Sequence, residues 1–207
     1  MLRVLLAIVV LALLTAINEP AWAELADFEF TPMIGYAVGG AFRDAASGAF
    51  FEIGENRNFG FAFDIKQDDL SQVEVYYNRQ RTQLRTGGGL FVGSPLFDLD
   101  IQYFHLGGTY GAGEGNVKPF AVGTLGVTRM TPKAKNLVAE TKPSLSLGGG
   151  VKLMATDRVG VRLEGRWFGT FLDGSGSIFC ANGSCELSAS GNVISQYIVN
   201  AGLIVAF

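Results

Sequence analysis

Large apolar residues recur at every second position through most of this chain, a period that few folds can accommodate. Phe28, Phe30, Ile34, Tyr36, Val38 and Phe42 share one parity. Glu29, Thr31, Gly35, Ala37, Gly39 and Ala41 take the other, with Met33 the one large apolar residue out of phase. Alternation of this kind describes a strand with one oily face and one small or polar face. It returns at Phe59, Phe61, Phe63 and Ile65, at Val73, Val75 and Tyr77, and at Leu145, Leu147, Val151 and Leu153. Val159, Val161, Leu163 and Trp167 repeat it, as do Val199, Ala201, Leu203, Val205 and Phe207.

Segments 98–110 and 118–130 complete a set of eight predicted strands, with their phase left open. In the first, Leu99, Ile101 and Tyr103 share one parity while Phe104, Leu106 and Tyr110 share the other. A β-bulge between them would reconcile the two. The connections alternate in length. Segments 44–57, 86–97, 131–142 and 170–193 are long and rich in Gly, Ser, Asn and charge, whereas 67–70, 111–117 and 156–158 are short. An even number of strands with long loops at one rim and short turns at the other is the plan of a closed, antiparallel, up-and-down transmembrane β-barrel.

The N-terminus carries its own signal. Arg3 precedes the apolar run Val4–Leu14, and Pro20 is followed by Ala21-Trp22-Ala23. This reads as a signal peptide over residues 1–23 with cleavage after Ala23, leaving 24–207 as one barrel domain. The apolar run is about half of the ~20 residues a spanning helix needs. Export through such a peptide predicts residence in the outer membrane of a Gram-negative-type bacterium, in contact with its lipid. The net charge of −3 includes no basic stripe to neutralise phosphates, which argues against a nucleic-acid partner.

Closure follows from the solvent. In hydrocarbon every backbone donor and acceptor must pair, so a sheet facing lipid has to close on itself. An eight-stranded barrel has an interior just wide enough for side chains. The face of Gly, Ala, Ser, Asn and a few charges is therefore expected inside, with no room for a second layer of Phe and Trp. The oily faces, with Phe, Tyr and Trp near strand ends, suit interfacial girdles. The alternative is a soluble lipocalin-like barrel holding a ligand.

Two resemblances support the membrane reading. Tyr197, Ala201, Leu203, Val205 and terminal Phe207 resemble the C-terminal signature that the barrel assembly machinery reads on its substrates, which implies that machinery as a partner. The stretch Tyr103–Tyr110 with Lys118-Pro119-Phe120 and Gly123–Arg129 resembles the small eight-stranded outer-membrane barrels of the OmpX, OmpA-barrel and opacity-protein type. Leu147–Lys152 and Val161–Arg166 are similar to the hairpin that follows. The resemblance implies architecture; roles within the family differ, from adhesion to weak pore formation. The chain ends at the barrel, so no peptidoglycan-binding domain is expected after it.

The polar faces bring together candidate chemistry. Glu29, Asp64, Glu74, Lys152, Arg162, Glu164 and Arg166 all fall on predicted lumen faces. They fit either a selectivity filter or an ion-pair network that plugs a narrow lumen; the plug is favoured, because charges in that setting must be paired. His105, the single histidine, could serve a lipid-modifying enzyme, but its place at mid-depth or lower and the lack of a following His-x-Ser pattern favour a satisfied lumen histidine. Cys180 and Cys185 flank Ala-Asn-Gly-Ser, and Asn182-Gly183 is a strong hairpin-turn signal that would set the cysteines opposite each other. An oxidising compartment favours a disulfide there over a metal site. The sequence suggests no catalytic residues, cofactor or metal. The reading it supports is a non-enzymatic barrel that displays loops for adhesion, partner binding or envelope integrity; the alternatives are a narrow diffusion pore and a lipid-modifying enzyme.

The hairpin around Asp157 makes a sharper expectation. Opposed residues of an antiparallel pair point to the same face. A two-residue turn at Thr156-Asp157 would set Lys152 against lipid-facing Val161, at a cost of about 2–4 kcal/mol near the midplane. The turn is therefore expected to be Thr156-Asp157-Arg158, with Ala155 opposite Val159 and Lys152 opposite Arg162. Glu164 is then the expected neutraliser of both cations.

Overall fold

The computed structural model describes residues 28–43, 49–87, 94–111, 115–134, 137–172, 177–181, 184–188 and 193–207. The predicted signal peptide lies outside them. Twelve strands follow in chain order: β1 (Phe28–Gly39), β2 (Ala41–Arg43), β3 (Phe50–Ile53), β4 (Asn56–Lys66), β5 (Ser71–Thr86), β6 (Pro95–Gly111), β7 (Val117–Pro132), β8 (Glu140–Met154), β9 (Val159–Phe171), β10 (Ser177–Ala181), β11 (Ser184–Ser188) and β12 (Val193–Ala206). Eight of these are the long strands, and each pairs antiparallel with two others in the cyclic order β1-β4-β5-β6-β7-β8-β9-β12. β1 meets β12, so the sheet has closed into a barrel. The seam is sealed by the last residue: Phe207 N–H donates to the Phe28 carbonyl (2.9 Å) and Phe28 N–H returns a bond to Phe207 (3.0 Å).

The short turns cluster with both ends of the barrel sequence at one rim. Between β4 and β5, the Asp68 carboxylate accepts bonds from the backbone of Leu70 and Ser71, both at 2.8 Å, and from the Ser71 hydroxyl. The Ser71 hydroxyl and these two amides hold the Asp68 carboxyl below its usual range. Between β8 and β9, Ala155 N–H reaches the Val159 carbonyl at 2.9 Å, and Lys152 stands opposite Arg162. The turn is thus Thr156-Asp157-Arg158, as the parity argument required. At the opposite rim the predicted long loop 44–57 includes strand β3, which extends the β4–β5 wall by pairing with β5.

Two expectations about phase need correction. No bulge interrupts β6: its pairing with β5 and β7 runs without a shift from Leu99 to Tyr110. Leu99, Ile101 and Tyr103 point into the barrel, while Phe104, Leu106 and Tyr110 point out. The register shift in that sheet lies instead at Leu84/Arg85. Phe42, placed by parity with the outward residues of β1, is buried inside, because Gly39 and Gly40 adopt φ of 89° and 94° and reverse the phase. These are left-handed conformations that suit glycine.

The interior is also not uniformly small and polar. Towards the long-loop rim it is an apolar core that includes Phe42, Phe51, Ile53, Leu84, Leu99 and Ile101. Small Ala37 and Ala62 belong to the same buried cluster. The outer surface carries a wide oily band, with Ile34, Leu125, Val199 and Leu203 each at least 61% exposed. No helix among the described residues is long and apolar enough to cross a membrane.

Candidate functional site

The candidate site is the lumen, which changes character with height. Nearest the short-turn rim, Lys152 of β8 donates to Glu29 of β1 and, at 2.6 Å, to the Gln72 side-chain oxygen. Gln72 in turn donates to Glu29 at 2.9 Å and accepts from Thr109 at 3.2 Å. Lys152 also lies 3.9 Å from Asp64.

Above this gate sits a network of two arginines and three carboxylates. Arg162 donates to Asp64 (2.9 Å), to Glu74 (2.6 Å) and to Glu164 (2.8 Å), one bond from each nitrogen. Arg166 makes two bonds to Glu74, at 2.8 and 2.9 Å, and two to Glu164, at 3.0 and 2.9 Å. All five side chains are fully shielded from solvent. The alternation of β9 puts Arg162, Glu164 and Arg166 on one face, and Asp64 of β4 and Glu74 of β5 meet them from across the barrel. The guanidinium of Arg162 also lies 4.6 Å from the centre of the Phe120 ring, and that of Arg166 lies 4.0 Å from Tyr76. A guanidinium has five donors in a fixed fork, which suits it to bridging several carboxylates.

The structure brings together all seven charges singled out by sequence. One pairing differs from expectation. Glu164 serves Arg162 and Arg166, whereas Lys152 is neutralised by Glu29 and stands near Asp64. The barrel's curvature sets β1 across the lumen from β8, and the sequence separation of those strands hid that contact.

Higher still, polar and aromatic groups interlock. His105 Nδ1 and Nε2 each lie 2.9 Å from a hydroxyl, those of Thr124 and Ser144. Thr124 contacts the Ser146 hydroxyl at 2.6 Å, which completes a chain of hydroxyls around the ring. Phe168 is wholly buried, with ring centroids 4.3 Å from Tyr103, 5.3 Å from His105 and 5.8 Å from Tyr76. Tyr103 donates its hydroxyl hydrogen to Gln196, and Gln196 donates to Gln80 at 3.2 Å. This aromatic plug was missed by the sequence reading. The even-numbered parity of Phe168, shared with Arg162 and Glu164, is the signal that could have found it.

The other sequence candidates fall outside the lumen. Tyr197, Leu203, Val205 and Phe207 all face outward, each at least 47% exposed. Cys180 and Cys185 are directly opposed across the β10–β11 hairpin. Their side chains, and the intervening Asn182-Gly183, lie outside the described residues. No group of His, Cys, Asp or Glu among the described residues is arranged to hold a metal ion.

A closed, oily-surfaced, eight-stranded antiparallel barrel with a filled lumen is the fold of the small outer-membrane β-barrels. Comparison with solved structures gives the same class. The crystal structure of OprG, an outer membrane protein from Pseudomonas aeruginosa, aligns at a TM-score of 0.60 and 16% identity, over 88% of this chain and 96% of that one. Neisserial surface protein A aligns at 0.58 and 15% identity, over 87% and 97% of the two chains. The outer membrane protein AlkL, determined in lipid bilayers, aligns at 0.53 and 14% identity, over 92% and 95%. No protein-family model and no curated relative matches the chain.

Proposed function

We propose that this chain is an outer-membrane protein that acts without enzymatic chemistry: a plugged barrel that anchors its long loops at the cell surface for contact with an envelope or extracellular partner. The observation that carries this reading is the obstruction of the lumen at three successive heights above its short-turn mouth. Arg162 and Glu74 fill it near one end, Phe168 at the middle, and Leu99 and Ile101 towards the other. A pathway for solutes would require several buried contacts to break together. His105 contacts only hydroxyls, Thr124 and Ser144, on its two ring nitrogens and is 4% exposed, which supports a structural rather than a catalytic role.

Two measurements test the reading. Membrane fractionation should recover the protein in the outer membrane, with faster gel migration before heating than after; recovery in the soluble periplasm would refute it. In planar bilayers the purified barrel should give no steady ionic conductance. A stable open level would favour the diffusion-pore reading instead.

A further inference from the structure

On the outer face, four arginines stand together just beyond the oily band. Arg79 of β5, Gln102 of β6 and Arg129 of β7 lie in one cross-strand row. In the next row outward Arg81 is opposite Asp100. Arg57 of β4 stands one residue beyond the Asn58–Gln80 pair, and neighbouring Asn56 donates to the Arg81 carbonyl at 2.8 Å. Asp100 is committed to Arg79, which holds it through Nε at 3.0 Å to both oxygens. Arg57, Arg81 and Arg129 are exposed and have no ion-pair partner among the described residues. Further out, exposed Asp98 and Glu55 are set beside Arg85 and Lys133, which balance them, so basic groups still outnumber acidic ones on the face as a whole.

Directly beneath the arginines is a depression of about 570 Å³ on the same four strands. Phe61, Val75, Tyr77, Phe104, Leu125 and Val127 form its walls. Phe61 and Phe104 pack on either side of Tyr77, at 5.5 and 4.8 Å between ring centroids. At the corresponding level, the outward residues of β8, β9, β12 and β1 are uncharged: Pro143, Gly169, Phe171, Tyr197 and Val38. A girdle that merely marked the membrane boundary would run round the barrel. This one occupies one side.

We infer that the β4–β7 face is a binding site for a phosphate-bearing, multiply acylated lipid of the outer leaflet. The acyl chains lie along the Phe61–Val127 depression and the phosphates sit against Arg57, Arg79, Arg81 and Arg129. Charge complementarity carries the assignment. Arginine is the side chain whose fork matches phosphate oxygens, and a lipid-facing cation needs an anionic partner at headgroup depth. Arg79 and Arg129 are two strand spacings apart, about 10 Å, so a single headgroup can reach both. The inference rests on the membrane-embedded reading above.

Native mass spectrometry of the barrel released from detergent provides the test, with bisphosphorylated lipid A as probe. The wild-type protein should retain the lipid, and should retain a phosphate-free form of it at least tenfold less. The triple variant Arg57→Gln, Arg81→Gln, Arg129→Gln leaves the Arg79–Asp100 pair intact and should lose retention by tenfold or more. The double variant Lys118→Gln, Arg158→Gln, at the opposite rim, should match wild type. Heat-modifiable gel migration verifies that each variant is folded. Inorganic phosphate added as competitor should leave the lipid bound; displacement at equimolar phosphate would show that the acyl depression takes no part. Equal retention by the triple variant, or equal retention of the phosphate-free lipid, would overturn the site. Failure of retention in a protein that fractionates to the outer membrane would remove this inference alone. Recovery outside that membrane would remove the reading beneath it.

Discussion

Lys152 on β8 lies directly opposite Arg162 on β9, two cations side by side in a narrow lumen. They are held there by different anions, Glu29 for the lysine and Glu164, Glu74 and Asp64 for the arginine. Buried charges gain little overall from pairing, but loss of one partner strands the other.

Glu164 is the most exposed to this logic, because it accepts bonds from both arginines and from Asn200. Glu164→Gln should destabilise the barrel by about 3–5 kcal/mol, the usual cost of breaking a buried pair from one side. Urea titration followed by heat-modifiable gel migration measures it. A midpoint equal to that of wild type would show that the network is dispensable.

Phe168 links the charged and apolar parts of the interior. Truncation to alanine should cost about 3–5 kcal/mol, the range for a buried aromatic ring. The ion network below it stays closed, so Phe168→Ala should still show no steady conductance in planar bilayers. An open channel from this single change would place the seal at the ring rather than in the charges.

Two neighbouring glycines on one hairpin should respond differently to the same change. A Cβ on Gly148 would press on the Gly165 carbonyl and lie 2.9 Å from the Arg166 Cα, both backbone, whereas one on Gly165 meets nothing within 4 Å. Gly148→Ala is expected to cost about 1–3 kcal/mol by overpacking. Gly165→Ala should stay within roughly 0.5 kcal/mol of wild type. Equal denaturation midpoints for the two would contradict the packing described.

The opposed positions of Cys180 and Cys185 predict an intramolecular disulfide in protein taken from the envelope. Alkylation without reductant should label neither cysteine, and alkylation after reduction should label both. In the chain-entropy model so small a loop gains roughly 2 kcal/mol. Because β10 and β11 form a two-stranded sheet separate from the barrel, Cys180→Ser with Cys185→Ser should leave assembly unchanged. Labelling of both thiols before reduction would refute the pairing.

The sequence alone determined the eight long strands, their antiparallel order and the charged composition of the lumen. Period-2 alternation is local, and each of Arg162, Glu164 and Arg166 could be placed on one face by counting along β9. Parity even determined the three-residue turn at Thr156–Arg158, since any even-length turn would have turned Lys152 to lipid. Closure decided the rest. Whether Leu99, Ile101 and Tyr103 face in or out depends on register with β5 and β7, because an apolar residue is acceptable on either side of a membrane barrel. The inward turn of Phe42 came from two left-handed glycines, which alternation cannot register. The partner of Lys152 is 123 residues away, on a strand that reaches it only across the lumen. Contacts between neighbouring strands follow from order and parity, but contacts across a barrel depend on its stagger and curvature, and those exist only once the sheet has closed.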